Sequence, residues 1–236
     1  MPATSRQAAR RVLLFDIDNT LLYSGGAGSA AMNAAFRQLF GIDNGFAGVE
    51  FSGRTDRYIL MQALRRHAIA GDEDELVAAF QERYYALLRD TLPHKEGRLM
   101  PGFPQLLEAL SAAPGVRLGL ATGNFSGGAR AKLAYFGLDR FFAPQGGFGE
   151  ESEDRNEVVR VAVQRLADGA HPDDVLVIGD TPHDVSAALA NGVVPVGVAT
   201  GSNSAQELRD CGARMVFADF SDWRRAAATL AGAPAG

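Results

Sequence analysis

Five short apolar runs show almost no polar alternation: Val12-Leu13-Leu14-Phe15, Val116–Ala121, Val175–Ile178, Val193–Val198 and Met215–Phe217. A strand with one wet face alternates, whereas a strand buried on both faces does not. Helical patterns separate the later runs, at Ala129–Phe136, Val158–Leu166, Val185–Leu189 and Ala205–Leu208. Buried strands alternating with helices predict an α/β protein with a doubly wound, mostly parallel sheet. A weaker strand is expected near Gln145–Phe148.

Between Tyr23 and Met100 the period changes. Met32, Ala35, Phe36, Leu39 and Phe40 keep helical spacing, as do Ile59, Leu60, Ala63 and Leu64, and then Leu76, Ala79, Phe80, Tyr84, Leu87 and Leu88. No clear strand interrupts them, so a helical insert follows the first strand. The expected division is an α/β core of residues 1–22 and 101–236 around a helical unit of residues 23–100. The Ala/Gly/Pro-rich tail, Ala226–Gly236, is expected to fray at its end.

Composition narrows the function. The 236 residues carry 23 Lys+Arg against 28 Asp+Glu, a net charge of -5, which argues against a nucleic-acid partner. A single cysteine, Cys211, excludes a disulfide framework and fits a reducing compartment. No stretch reaches the length of a membrane span, and the first seven residues lack a signal-peptide core. A cytoplasmic protein without membrane partners is the expectation.

Chemistry gathers where the apolar runs end. Asp16-Ile17-Asp18-Asn19-Thr20 follows the first, Thr122-Gly123-Asn124 the second, and Gly179-Asp180-Thr181-Pro182-His183-Asp184 the third. Ligands of open parallel sheets bind outside the carboxyl ends of strands. Carboxylates crowded there repel one another unless a cation or a reaction uses them. An aspartate attacking a phosphate monoester brings one negative charge toward two, a repulsion of ~8 kcal/mol at ~4 Å and an effective dielectric of ~20. Oxygen ligands from Asp16, Asp180 and the backbone carbonyl of Asp18 suit Mg²⁺, which reverses that sign.

Asp16-x-Asp18-x-Thr20, Thr122-Gly123-Asn124 and Gly179-Asp180-x-x-x-Asp184, in this order and each after an apolar strand, resemble the haloacid dehalogenase-like hydrolase superfamily. The helical insert resembles the α-helical cap of its phosphoglycolate-phosphatase-like members. The resemblance implies a phosphatase acting on a small phosphorylated metabolite, phosphoglycolate-like or a sugar phosphate. Asp16 would be the nucleophile, Asp18 the general acid and base, and Thr122, Gly123 and Asn124 the phosphate holders. Asp16, Asp18, Asp180 and Asp184 would form the Mg²⁺ site. The superfamily usually places a lysine before its last motif; residues 149–157 contain none, and Arg155 is the expected substitute. Lys132 is expected to be a solvated face residue. Arg54, in Ser52-Gly53-Arg54-Thr55-Asp56, is a candidate to meet the substrate from the cap, while Thr55 or Asp56 caps a helix.

A phosphomutase of the same superfamily and a non-catalytic phosphate-binding protein are the alternatives. Gly26-x-Gly28-x-x-Ala31 comes too far after the strand for a dinucleotide fingerprint. A phospho-accepting receiver module has neither the insert nor the Asp-x-Asp spacing.

Overall fold

The computed structural model describes residues 11–232. The expectations for the first seven residues and for the last four of the tail lie outside them.

Five strands form one parallel sheet: β1 (Arg11–Phe15), β4 (Val116–Leu120), β5 (Val175–Gly179), β6 (Val194–Val198) and β7 (Met215–Phe217), in the order β4-β1-β5-β6-β7. The unalternated runs have their predicted cause. Along β1, Leu13 and Phe15 enter a cluster with Leu106, Leu107, Leu110 and Leu230, while Val12 and Leu14 enter another with Val159, Ala162, Ala187 and Ala188. The first cluster is supplied by α4 (Gln105–Ala112) and α9 (Trp223–Ala231), the second by α6 (Arg155–Leu166) and α7 (Pro182–Ala190). Both faces of the sheet are therefore covered by helices.

Between the first two strands of this sheet run α1 (Ala27–Phe40), α2 (Asp56–Arg66) and α3 (Glu73–Thr91). They bury Met32, Phe36, Leu60, Phe80 and Tyr84 in a separate apolar cluster, which also takes in Phe125 from the loop after β4. Truncating a buried aromatic such as Phe36 to Ala costs roughly 3–5 kcal/mol in such a setting. The chain leaves the sheet through β2 (Leu22–Tyr23) and returns through β3 (Arg98–Leu99), and the two pair antiparallel. Helices α5 (Ser126–Tyr135) and α8 (Ala205–Asp210) complete the array.

Three departures from the sequence reading stand out. The strand expected near Gln145–Phe148 is one parallel bridge, Ala121 to Gly147. There the backbone lies so close to α6 that a Cβ on Gly147 would sit 2.0 Å from the Val158 carbonyl oxygen. Helix α4 has no counterpart among the predicted elements. Part of the expected fraying tail is α9, which buries Ala226 and Leu230 one turn apart against the sheet. Its alanines hide an amphipathic helix in a composition that looks featureless.

Candidate active site

The register of the sheet brings the separate motifs to one level. Phe15 lies beside Leu120 on one side and Ile178 on the other, so Asp16, Ala121 and Gly179 emerge together at the carboxyl end of the sheet. From β1 the order steps outward to β4 on one side and to β5 on the other, which makes this end a topological switch point. A cavity of ≈ 700 Å³ opens there, with Asp16, Asp18, Gly123, Asn124, Arg155 and Asp180 in its wall.

The turn after β1 is tied to its neighbours. Asp16 N–H donates to the Ile178 carbonyl at 2.9 Å, and Asn19, at φ 58°, donates to the Leu22 carbonyl at 2.7 Å. Thr20 Oγ1 donates to Asp180 Oδ1 at 3.3 Å. Behind them Gly179 must be glycine, because a Cβ there would stand 2.3 Å from Asp184 Cγ.

Two cations sort the carboxylates. Arg155, at the first position of α6 and buried, donates from Nη2 to Asp16 Oδ1 at 3.0 Å, to Asp184 Oδ1 at 2.7 Å and to the Ala121 carbonyl at 3.0 Å. Its Nε has no partner among the described residues. Lys132 is not a solvated face residue. It is 3% exposed, and its Nζ donates to Asp18 Oδ2 and to Asn124 Oδ1, both at 2.6 Å. It shares the buried face of α5 with Gly128, Ala129 and Leu133, and α3 closes over that face. That phase, three after Ala129 and one before Leu133, was the signal available in the sequence.

Burial dominates the electrostatics. It raises Asp16 to about 6, helped by Asp184 and Asp18 and opposed by Arg155 and Thr122. It raises Asp180 to about 8, and Asp184 and Asp16 add to the rise. Oxygens of Asp16, Asp180 and Asp184 lie within 4.8 Å of one another. Both oxygens of Asp184 are also engaged, Oδ1 by Arg155 and Oδ2 by the Thr181 backbone N–H and hydroxyl at 3.1 and 2.7 Å.

The remaining candidates are placed as follows. Thr122 is fully buried and its Oγ1 accepts from Asn124 Nδ2 at 2.9 Å, so it stands behind Asn124 while Gly123 and Asn124 face the cavity. Asn124 Nδ2 also donates to Asp18 Oδ2 at 2.8 Å. Arg54 lines the cavity, held by Glu50 Oε2 at 2.8 and 2.6 Å from Nε and Nη2 and lying over the Tyr58 ring at 4.7 Å. Thr55 caps α2, accepting from the Tyr58 N–H at 3.0 Å.

Asp56 does something the sequence reading missed. Its backbone N–H donates to the Gly123 carbonyl at 2.7 Å, and its Oδ2 accepts from the Phe125 N–H at 2.8 Å. It thus pins the start of α2 to the loop that carries Asn124. Burial raises its carboxyl to about 7, against the pull of Lys132 and the Phe125 N–H. Tyr84 also escaped notice as a site residue: it is 1% exposed yet borders the cavity, and burial beside Asp56 and Asp18 pushes its phenol well above the usual value.

Known proteins resemble this chain in sequence and in fold. The chain is 30% identical over 223 residues to phosphoglycolate phosphatase of Rhodospirillum rubrum, covering 90% of each chain. Over 116 residues it is 35% identical to a 5'-nucleotidase of Pseudomonas aeruginosa, covering 48% of this chain and 51% of that one. Its fold matches a hydrolase from Pseudomonas syringae with a TM-score of 0.65 at 23% identity, over 91% of this chain and 96% of that one. Among the described residues no helix is long and apolar enough to cross a membrane. Residues 10–192 match the haloacid dehalogenase-like hydrolases, and with the strand-end carboxylates in place the chain belongs to that family, as a phosphatase.

Proposed function

We propose that this protein is a Mg²⁺-dependent phosphatase that releases phosphate from a small phosphorylated metabolite, phosphoglycolate-like or a sugar phosphate, through an aspartyl-phosphate on Asp16. The observation that carries the reading is the separate pairing of two carboxylates at one strand end. Asp16 lies against Arg155 at 3.0 Å, and Asp18 lies against Lys132 at 2.6 Å. The pairing gives the two acids different surroundings, as a nucleophile and a proton carrier need.

In this reading Asp16 attacks phosphorus and the ester P–O bond breaks. Asp18 hands its proton to the leaving alkoxide, then takes one from the water that cleaves the acyl phosphate. The Gly123 backbone and Asn124 hold phosphate oxygens, with Thr122 fixing the Asn124 amide, so that charge is met by groups already in position. Arg155 stands where the superfamily's lysine is expected and offsets the charge of Asp16 and the incoming phosphate. Helices α1–α3 act as a cap, and the loop before α2 presents Arg54 to the substrate.

The residues fit a hard divalent cation. Three buried carboxyls, Asp16, Asp180 and Asp184, cluster where one guanidinium pairs with only Asp16 and Asp184, and burial raises Asp16 and Asp180 above the carboxylate range. Asp16, Asp180 and the Asp18 backbone carbonyl would hold Mg²⁺, with Asp184 assisting beside Arg155. When bound, the ion supplies positive charge that lets nucleophile and phosphate approach.

The test is a panel of phosphorylated metabolites assayed with Mg²⁺ and then with chelator, with Asp16→Asn as control. Mg²⁺-dependent phosphate release that Asp16→Asn lacks is expected. Equal release by the variant would overturn the mechanism, and isomerisation of a sugar phosphate without free phosphate would make the protein a mutase.

A further inference from the structure

We propose that the loop after β6, Thr200-Gly201-Ser202-Asn203, is a brace that fixes the spacing between the Asp18 turn and the Asp180 carboxyl, and through that spacing favours Mg²⁺ over larger divalent cations. Thr200 and Gly201 are positioning residues in this scheme and ligate nothing themselves. The proposal rests on the phosphatase reading and deepens it at the cation site.

The sheet delivers the loop to the site. Gly179 lies beside Gly197 in the β5–β6 pair, so the chain leaving β6 at Val198 emerges next to Asp180. Thr200, Gly201 and Ser202 line the cavity. Both ends of the loop are tied down. Ala199 N–H donates to the Phe217 carbonyl of β7 at 2.9 Å. Ser204 caps α8, its Oγ accepting from the Glu207 N–H at 3.2 Å while Glu207 Oε2 accepts from the Ser204 N–H at 2.7 Å. A segment fixed at both ends can hold its neighbours in place.

Two neighbours are held. Thr200 Oγ1 donates to the Asn19 carbonyl at 2.5 Å. Asn19 is left-handed at φ 58°, a conformation that persists in a residue with a side chain only where the surroundings impose it. The bond therefore secures the turn that carries the Asp18 carbonyl. On the other side Asn203 Nδ2 donates to the Asp180 backbone carbonyl at 3.2 Å. Thr20 Oγ1, donating to Asp180 Oδ1 at 3.3 Å, closes the circuit between turn and carboxyl.

Gly201 sets the limit on Asp180. A Cβ there would stand 1.9 Å from Asp180 Oδ2, 2.9 Å from its Cγ and 3.3 Å from its Cβ. Gly201 lies outside the left-handed region, so its backbone alone does not call for glycine. The close approach of one carboxyl oxygen does. All three nearest atoms belong to the Asp180 side chain, so an added methyl group displaces that carboxyl before it displaces the backbone.

One loop thus braces two of the three groups assigned to the cation, the Asp18 carbonyl and the Asp180 carboxyl. Mg²⁺ demands near-ideal octahedral geometry, whereas Ca²⁺ accepts more oxygens in looser arrangements. Moving one carboxyl against a fixed turn consequently costs Mg²⁺ more than Ca²⁺.

The test follows Tm against MgCl₂ and CaCl₂ without substrate, for wild type, Gly201→Ala, Thr200→Val and Thr200→Ser. Gly201→Ala should raise the Mg²⁺ concentration at half-maximal shift by roughly tenfold or more, and the Ca²⁺ concentration by less than about threefold. Thr200→Val should move the ratio the same way, and Thr200→Ser, which keeps the hydroxyl, should stay with wild type. Metal-free Tm reports folding separately; if Gly201→Ala does not fold, the Thr200 pair decides. Equal weakening of both ions, or ion responses unchanged from wild type, would overturn the brace. Chelator-sensitive phosphate release from p-nitrophenyl phosphate by wild type checks the phosphatase reading in the same preparations. A wild-type Tm that ignores Mg²⁺ overturns the brace as well, and overturns the phosphatase reading only if phosphate release also fails.

Discussion

Lys132 Nζ and Asp18 Oδ2 stand 2.6 Å apart although 114 residues separate them in the chain, and Asn124 bonds both members of the pair. The lysine is buried and the Asp18 side chain is 37% exposed, so the pair holds an acid at the edge of a wet cavity in one orientation. An oriented carboxyl beside an ester oxygen can pass a proton; a freely rotating one spends little time in the right place.

Lys132→Met should therefore act on proton transfer more than on folding. We expect kcat on an alkyl phosphate to fall roughly 10²-fold with little change in KM. The leaving group of p-nitrophenyl phosphate needs no proton, so its first-turnover burst should survive in stopped flow. Loss of the burst along with steady-state turnover would show that Lys132 serves the nucleophilic step instead.

Arg155 carries a structural duty as well. Its Nη2 is shared by Asp16, Asp184 and the Ala121 carbonyl, all buried around it. Arg155→Met leaves two carboxyls without their cation, which should destabilise the protein by about 3 kcal/mol in urea denaturation and abolish turnover. Arg155→Lys should recover part of the stability and a smaller part of the activity, because an ammonium cannot reproduce the planar fork.

Mg²⁺ should raise Tm, and by more at pH 8 than at pH 6. Folding raises Asp16 to about 6 and Asp180 to about 8, so the metal-free fold binds more protons than the unfolded chain in this range. Its stability is accordingly full at low pH and falls as pH rises through those values. A divalent cation competes with the same protons and gains as they leave. Asp180→Asn should raise the metal-free Tm at pH 8 and remove most of the response to Mg²⁺. A Mg²⁺ shift of equal size in the variant would place the ion elsewhere.

Asp56 gives a second pH effect of the same sign, away from the carboxylate cluster. Its folded value of about 7 lies above the ordinary 3.8, so its contribution is present at low pH and is lost between those values as pH rises. An asparagine can still accept the Phe125 N–H and does not ionise. In chelator, Asp56→Asn should gain on wild type between pH 5 and pH 8 by on the order of 2–4 kcal/mol. Urea denaturation at the two values checks it; parallel curves would mean that Asp56 stays ionised in the fold.

Much of this arrangement could be read before any coordinates. Runs such as Val12–Phe15 and Val175–Ile178 are apolar at every position because helices cover both faces of the sheet, and the motifs follow those runs directly. Asp16 and Asp180 therefore had to emerge at strand ends, and the parallel register then set them side by side. Local order also marked α1, α2 and α3, since their periodicity is carried by neighbours in sequence.

What escaped depends on contacts between distant segments. Lys132 looks like any helix lysine until α3 closes over α5. Asp56 looks like a helix-start residue until the Phe125 N–H reaches it, and Tyr84 looks like core until a cavity opens beside its hydroxyl. Local patterning determines which residues are buried, because hydrophobic burial is non-directional and follows composition and period. Which buried polar group meets which is decided by directional bonds of about 3 Å, and only packed tertiary structure sets distances that finely.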